Sequence, residues 1–81
     1  MFVRSVRDAL GGRPLAAVQA GTTIREAAHL LDHFNIGAVV VLEGARLIGI
    51  LSERDVIRRC VAQDADPATT RVEEAMTRGS P

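Results

Sequence analysis

Two apolar runs, Ala38-Val39-Val40-Val41-Leu42 and Leu47-Ile48-Gly49-Ile50-Leu51, stand on either side of the short segment Glu43-Gly44-Ala45-Arg46. Runs of this length, joined by a tight connection that contains a glycine, form a β-hairpin, with strands over residues 38–42 and 46–51. The first strand is almost continuously apolar and therefore needs cover on both of its faces. The second runs directly into Ser52-Glu53-Arg54-Asp55, a Ser-x-x-Asp that can open a helix. The Ser52 hydroxyl and the first free N–H groups of such a helix can donate to an anion, and the positive end of the helix dipole points the same way. Asp55, one turn in, can accept from the two hydroxyls of a ribose. The same four residues also form a capping box, with Ser52 as N-cap and Asp55 reaching back, and the two readings compete for the same atoms.

The remaining elements are read from periodicity and breakers. Val6-Arg7-Asp8-Ala9-Leu10 makes a short helical turn, stopped by Gly11-Gly12 and Pro14, and Leu15-Ala16-Ala17-Val18 makes a short strand closed by Gly21. Thr23 and Glu26 form a capping box for a helix whose apolar positions are Ile24, Ala27, Ala28, Leu31 and Phe34, ended by Asn35 and Gly37. The helix opened by Ser52 carries Val56, Ile57, Cys60 and Val61 on one side and Arg54, Arg58 and Arg59 largely on the other, and it stops before Asp66-Pro67. Near the end, Val72-Glu73-Glu74-Ala75-Met76 repeats Val6-Arg7-Asp8-Ala9-Leu10 position by position: Val, charged, acidic, Ala, large apolar.

These motifs, in this order, resemble the CBS domain, the small regulatory module named after cystathionine β-synthase. The resemblance covers roughly residues 3–77, and its most specific parts are Asn35-Ile36-Gly37-Ala38 at the entry to one strand and Gly49-Ile50-Leu51-Ser52-Glu53-Arg54-Asp55 at the exit from the other. It implies an α/β (α+β) fold, a small three-stranded sheet with a central hairpin packed against two helices. Residues 3–71 make a single module, and residues 72–81 are the start of a second one or an exposed tail. In the family the nucleotide lies in a cleft between two paired modules, so one module contributes two different half-sites. Ile50, Ser52, Arg54 and Asp55 match one of them, with Ser52 facing phosphate and Asp55 facing ribose. Ile36, Gly37 and Ala38 match positions near the base and phosphates. Thr22, Ala27 and Leu47 match positions that wall the adenine of the other cleft. The resemblance further implies a regulatory adenosine ligand such as AMP, ADP, ATP or S-adenosylmethionine. It implies no required cofactor, a role in energy sensing, and a regulated enzyme or transporter as partner.

Size and composition bear on the partner. A domain of 81 residues leaves a large share of its surface in water, and an apolar sheet strand with helices on one face favours a homodimer, two single modules standing in for a tandem pair. With two Phe and no Tyr or Trp, a bound base would have to rest on aliphatic walls. The net charge of zero, with acids and bases interspersed, offers no footprint for nucleic acid or an anionic membrane. No apolar run spans a bilayer and no export signal precedes the first element, so a cytoplasmic location is expected. Cys60 falls on the apolar side of its helix and reads as a core residue. His29 and His33 lie four apart, a spacing at which two imidazoles can share a zinc ion. No third ligand stands at a recognisable spacing, so a solvent-facing pair is the better reading. Glu73 and Glu74 sit in a first turn, where the dipole favours acids. Without a nucleophile–base pair, a P-loop or a full metal set, the chain is not expected to be an enzyme. The rivals to the nucleotide reading are a CBS-fold interaction module without ligand and a small metal-dependent enzyme built on His29 and His33.

Overall fold

The computed structural model describes residues 16–78. In chain order the elements are β1 (Ala16–Gln19), α1 (Ile24–Phe34), β2 (Ala38–Glu43), β3 (Arg46–Ser52), α2 (Glu53–Arg59), a 3-10 turn (Val61–Gln63), α3 (Val72–Ala75) and β4 (Thr77–Arg78). The turn expected at residues 6–10 and the strand residue Leu15 lie outside the described residues. The sheet order is β1-β2-β3-β4, with β1 parallel to β2 through the α1 crossover and the other pairs antiparallel. A fourth strand is thus added to the three expected. It is only two residues long, and such a strand carries no periodic signal of its own.

The hairpin forms where expected, because Gly44 takes φ +64° at the first of the two turn residues between Glu43 and Arg46, a conformation open to glycine. Thr23 caps α1, its Oγ1 accepting from the Glu26 N–H at 3.2 Å. Asn35 ends the helix in the left-handed region at φ 52°, and the Ile36 N–H donates to the Leu31 carbonyl at 3.0 Å. Ile24, Ala27 and Leu31 are buried as the periodicity predicts, but Phe34 is 48% exposed because it falls in the last turn, beyond the sheet.

The strands divide their side chains between two clusters. Ala16, Val18, Val39, Val41 and Leu51 pack with Ile24, Ala27, Leu31 and Cys60 in the main core under the helices. Ala17, Val40 and Leu42, with Ile50 against them, form a second cluster on the other face. Val40 exposes only 1% of its surface, so the middle of this face is buried in the single chain rather than bare as the dimer expectation assumed, while Leu47 at its margin stays 44% exposed. Instead, α2 departs from its expected apolar side. Cys60 is fully buried and Val56 half-buried, whereas Ile57 and Val61 are 60% and 57% exposed. Helix α2 ends at Arg59, with Cys60 as its C-cap and Val61 already in the 3-10 turn, so the helical period that placed the four residues on one side does not run through them.

Residues 72–78 are built into this module. Val72, Ala75 and Met76 are buried in the main core. The Val72 N–H donates to the Thr22 carbonyl at 2.8 Å and the Ile24 N–H to the Thr70 carbonyl at 2.9 Å. The Gly21 N–H donates to Glu73 Oε1 at 2.8 Å, and Arg71 Nη1 donates to the Gly21 carbonyl at 2.9 Å. Within the described residues there is accordingly no exposed apolar tail; Val72-Met76 plugs the end of the core beside the loop between β1 and α1.

Gly49 makes room for this segment. A Cβ at Gly49 would lie 2.6 Å from Met76 Sδ and 2.9 Å from the Thr77 carbonyl oxygen, and a backbone atom cannot yield as a side chain can. Gly49→Ala is therefore expected to destabilise the module by about 1–3 kcal/mol, the usual cost of overpacking, measured by urea denaturation. A denaturation midpoint equal to that of the unsubstituted chain would show that β4 does not sit against β3 in solution.

Candidate functional site

The hairpin register gathers one of the two expected half-sites. Ala38 pairs with Ser52, Val40 with Ile50 and Leu42 with Leu47. Opposed residues in a ladder share a face, so Ala38, Leu47, Ile50 and Ser52 all lie on the side away from the helices, with Val40 and Leu42. The Glu53 N–H donates to the Gly37 carbonyl at 2.9 Å, which ties the entry to β2 to the start of α2. Ile36, Gly37, Ala38, Ser52, Arg54 and Asp55 are thereby collected at one end of the sheet, Gly37 and Arg54 exposed and the others partly so.

At that end both halves of the capping box are made. Ser52 Oγ accepts from the Asp55 N–H at 3.1 Å, and Asp55 Oδ2 accepts from the Ser52 N–H at 3.0 Å. Because Ser52 Oγ is an acceptor in the cap, its own proton remains available to a ligand. Asp55 is more heavily engaged than its sequence position suggests. Thr77 Oγ1 lies 3.3 Å from Oδ1 and 3.5 Å from Oδ2, and Arg59 Nε lies 3.9 Å from Oδ1. Arg59 Nη1 also donates to the Met76 carbonyl at 3.0 Å. The Asp55 side chain is left only 13% exposed. Thr77 and Arg59 are the two members of this site that sequence reasoning missed. Thr77 arrives through the pairing of β4 with β3, which leaves no local trace in the chain, whereas Arg59 stands four residues after Asp55, a helical spacing that could have signalled the pair.

The second half-site is not assembled as expected. Ala27 is fully enclosed in the core with Ile24 and Leu31, so it presents no surface to a ligand; the same helical period that makes it a core residue removes it from the site. Thr22 lines an open groove of about 530 Å³ with Val18, Glu26, His29, Leu30 and His33. Leu47 is 44% exposed but lies on the opposite face of the sheet, so within one chain it does not share that groove. His29 and His33 are both exposed along the groove, and His33 makes an edge contact with Phe34 at 4.7 Å between ring centroids. Among the described residues no group of three His, Cys, Asp or Glu side chains is placed to hold a metal ion. Cys60 Sγ donates to the Ala65 carbonyl at 3.5 Å inside the core. Among the same residues, no helix is long and apolar enough to cross a membrane.

Comparison with known proteins is consistent with this architecture. The family model described as CBS domain matches residues 6–62. The CBS domain-containing protein YhcV of Bacillus subtilis (strain 168) is 40% identical over 73 residues, covering 90% of this chain and 51% of YhcV. The chain therefore spans about half the length of that relative. Among solved structures, a putative signal-transduction protein with CBS domains from Burkholderia ambifaria superposes with a TM-score of 0.79 at 33% identity, over 98% of this chain and 60% of that one. The CBS domain protein PAE2072 from Pyrobaculum aerophilum, solved in complex with AMP, gives a TM-score of 0.74 at 28% identity over 94% of this chain and 57% of that one.

Proposed function

Because the chain belongs to the CBS domain family, we propose that it is a regulatory module whose ligand is an adenosine nucleotide, bound in a cleft completed by a second module. The observation that carries this reading is the convergence of Gly37, Ala38, Ser52, Arg54 and Asp55 at one end of the sheet. A free hydroxyl proton, an exposed guanidinium suited to phosphate and a carboxylate suited to a diol stand together there. With α2 only seven residues long, the phosphate would depend on Ser52 and Arg54 more than on a helix dipole. The AMP bound to PAE2072 supports the same ligand class. The matched length, about half of YhcV, fits a module that works in a pair, here supplied by a second copy or by a further stretch of the same protein. The role proposed is regulatory, through an attached or associated enzyme or transporter.

Thermal denaturation with added nucleotide tests the reading, since a ligand that binds only the native state raises its melting temperature. AMP or ATP is expected to stabilise the chain with an affinity between micromolar and millimolar, about 4 to 8 kcal/mol, and GTP is expected to do so less. Sedimentation of the same samples should show a dimer. Equal shifts with AMP and GTP would remove the base pocket. No shift at millimolar nucleotide would leave the interaction module without ligand as the function.

A further inference from the structure

We propose that the Thr77 hydroxyl occupies, in the free module, the place at Asp55 that a ligand hydroxyl takes, so that ligand entry and the seating of β4 exclude one another. The proposal rests on the nucleotide reading above and adds its regulation. Of the two Asp55 carboxylate oxygens, Oδ2 is held by the Ser52 N–H at 3.0 Å as part of the helix cap. Oδ1 is the oxygen left for a ligand, and it is the one that Thr77 Oγ1 approaches most closely, at 3.3 Å. The Asp55 side chain is only 13% exposed, so a diol reaching it would compete with Thr77 for Oδ1. At 3.3 Å the Thr77 contact is long for an O–H···O bond, weak enough for a better-placed hydroxyl to replace it.

What Thr77 is attached to gives the exclusion its consequence. Thr77 pairs with Ile50 in the two-residue strand β4, the Met76 carbonyl before it accepts from Arg59, and Arg59 itself faces Asp55. Asp55, Arg59, Met76 and Thr77 therefore form one linked cluster, and among the described residues β4 pairs with β3 through Thr77 and Arg78. Val72, Ala75 and Met76 remain anchored in the core, so displacement would be confined to residues 77–78 and whatever chain follows them. Ligand at Asp55 would in this way be read out as a change in the direction of the outgoing chain.

The full chain carrying Thr77→Val keeps the side-chain shape and loses the donor. Amide exchange at residues 77–78 without ligand is expected to quicken by about threefold, and AMP is expected to bind the variant about threefold more tightly, the size of effect for a weak hydrogen bond. In the unsubstituted chain, AMP is expected to quicken exchange at the same amides. Thr77→Ser, which restores the donor, should return affinity and exchange to their starting values. If AMP binds both proteins equally, or slows exchange at residues 77–78, the exclusion is overturned while the nucleotide reading stands. If AMP binds neither protein, the nucleotide reading falls first and the exclusion falls with it.

Discussion

A chain ending at Arg71 is expected to lose its cooperative thermal transition. Removal of residues 72–81 takes Val72 and Met76 out of the core, together with Ala75, and burial of a Val or Met side chain is worth about 1.5–3 kcal/mol each. The deletion also leaves the Thr22 carbonyl without the Val72 N–H and the Gly21 N–H without Glu73. At about 0.05–0.15 kcal/mol per residue, a domain of this size has a total stability of about 4–12 kcal/mol. The deletion removes a large part of that. Far-ultraviolet circular dichroism with temperature would register it as a broad, non-cooperative decline, while a sharp transition within a few degrees of the full chain would show that residues 72–78 are dispensable. Addition of the 72–81 peptide in trans should partly restore the transition, because the plug is held by side-chain packing as well as by chain connectivity.

The second large effect concerns Asp55. Replacement by Ala removes the acceptor for the Ser52 N–H and the partner of Thr77, which should cost about 1 kcal/mol of stability, as loss of a helix cap does. Its effect on the proposed ligand should be larger: about 1.5–3 kcal/mol, the range for hydrogen bonds to a charged group, or roughly 10- to 150-fold in affinity. The two losses are separable. Calorimetric titration of AMP at a temperature where the variant remains folded reads the second alone, and Asp55→Asn, which keeps an acceptor oxygen for the cap, should recover most of the stability but little of the affinity. An AMP affinity unchanged in Asp55→Ala would reduce Ser52-Glu53-Arg54-Asp55 to a helix cap and nothing more.

What could be read from the chain before its fold was what local pattern encodes. The hairpin followed from two apolar runs around Gly44, helix α1 from Thr23, Glu26 and the spacing of Ile24, Ala27 and Leu31, and the capping box from Ser52 and Asp55. Contacts between distant segments were not legible. The repeat at Val72-Met76 was visible, yet its packing into the core of this module, with the Val72 N–H on the Thr22 carbonyl, joins segments far apart in the chain. For the same reason Thr77 was absent from the site, and Phe34, Ile57 and Val61 were assigned to a core that does not reach them, whereas Arg59 could have been found from its i, i+4 spacing to Asp55. Ala27 shows a different limit. Its match to a family position placed it against ligand, while its own periodicity placed it inside, and here the periodicity prevailed.

The margins of the sheet carry a consequence for how such modules can assemble. Among the described residues the sheet begins on a strand of four residues and ends on one of two. The longer of these is finished off at its end by the Gln19 side chain, whose amide both donates to the Gly44 carbonyl and accepts from the Gly44 N–H, each at 3.0 Å. Gln19 thus ties β1 to the hairpin tip as an extra rung would. The Gly44 N–H and carbonyl, which the hairpin tip would otherwise offer to another chain, are both occupied by this amide. A chain that paired its backbone at this tip would first have to displace both bonds, so contact between modules there is left to side chains, whose identity can be selected, rather than to main-chain pairing that any extended peptide could satisfy.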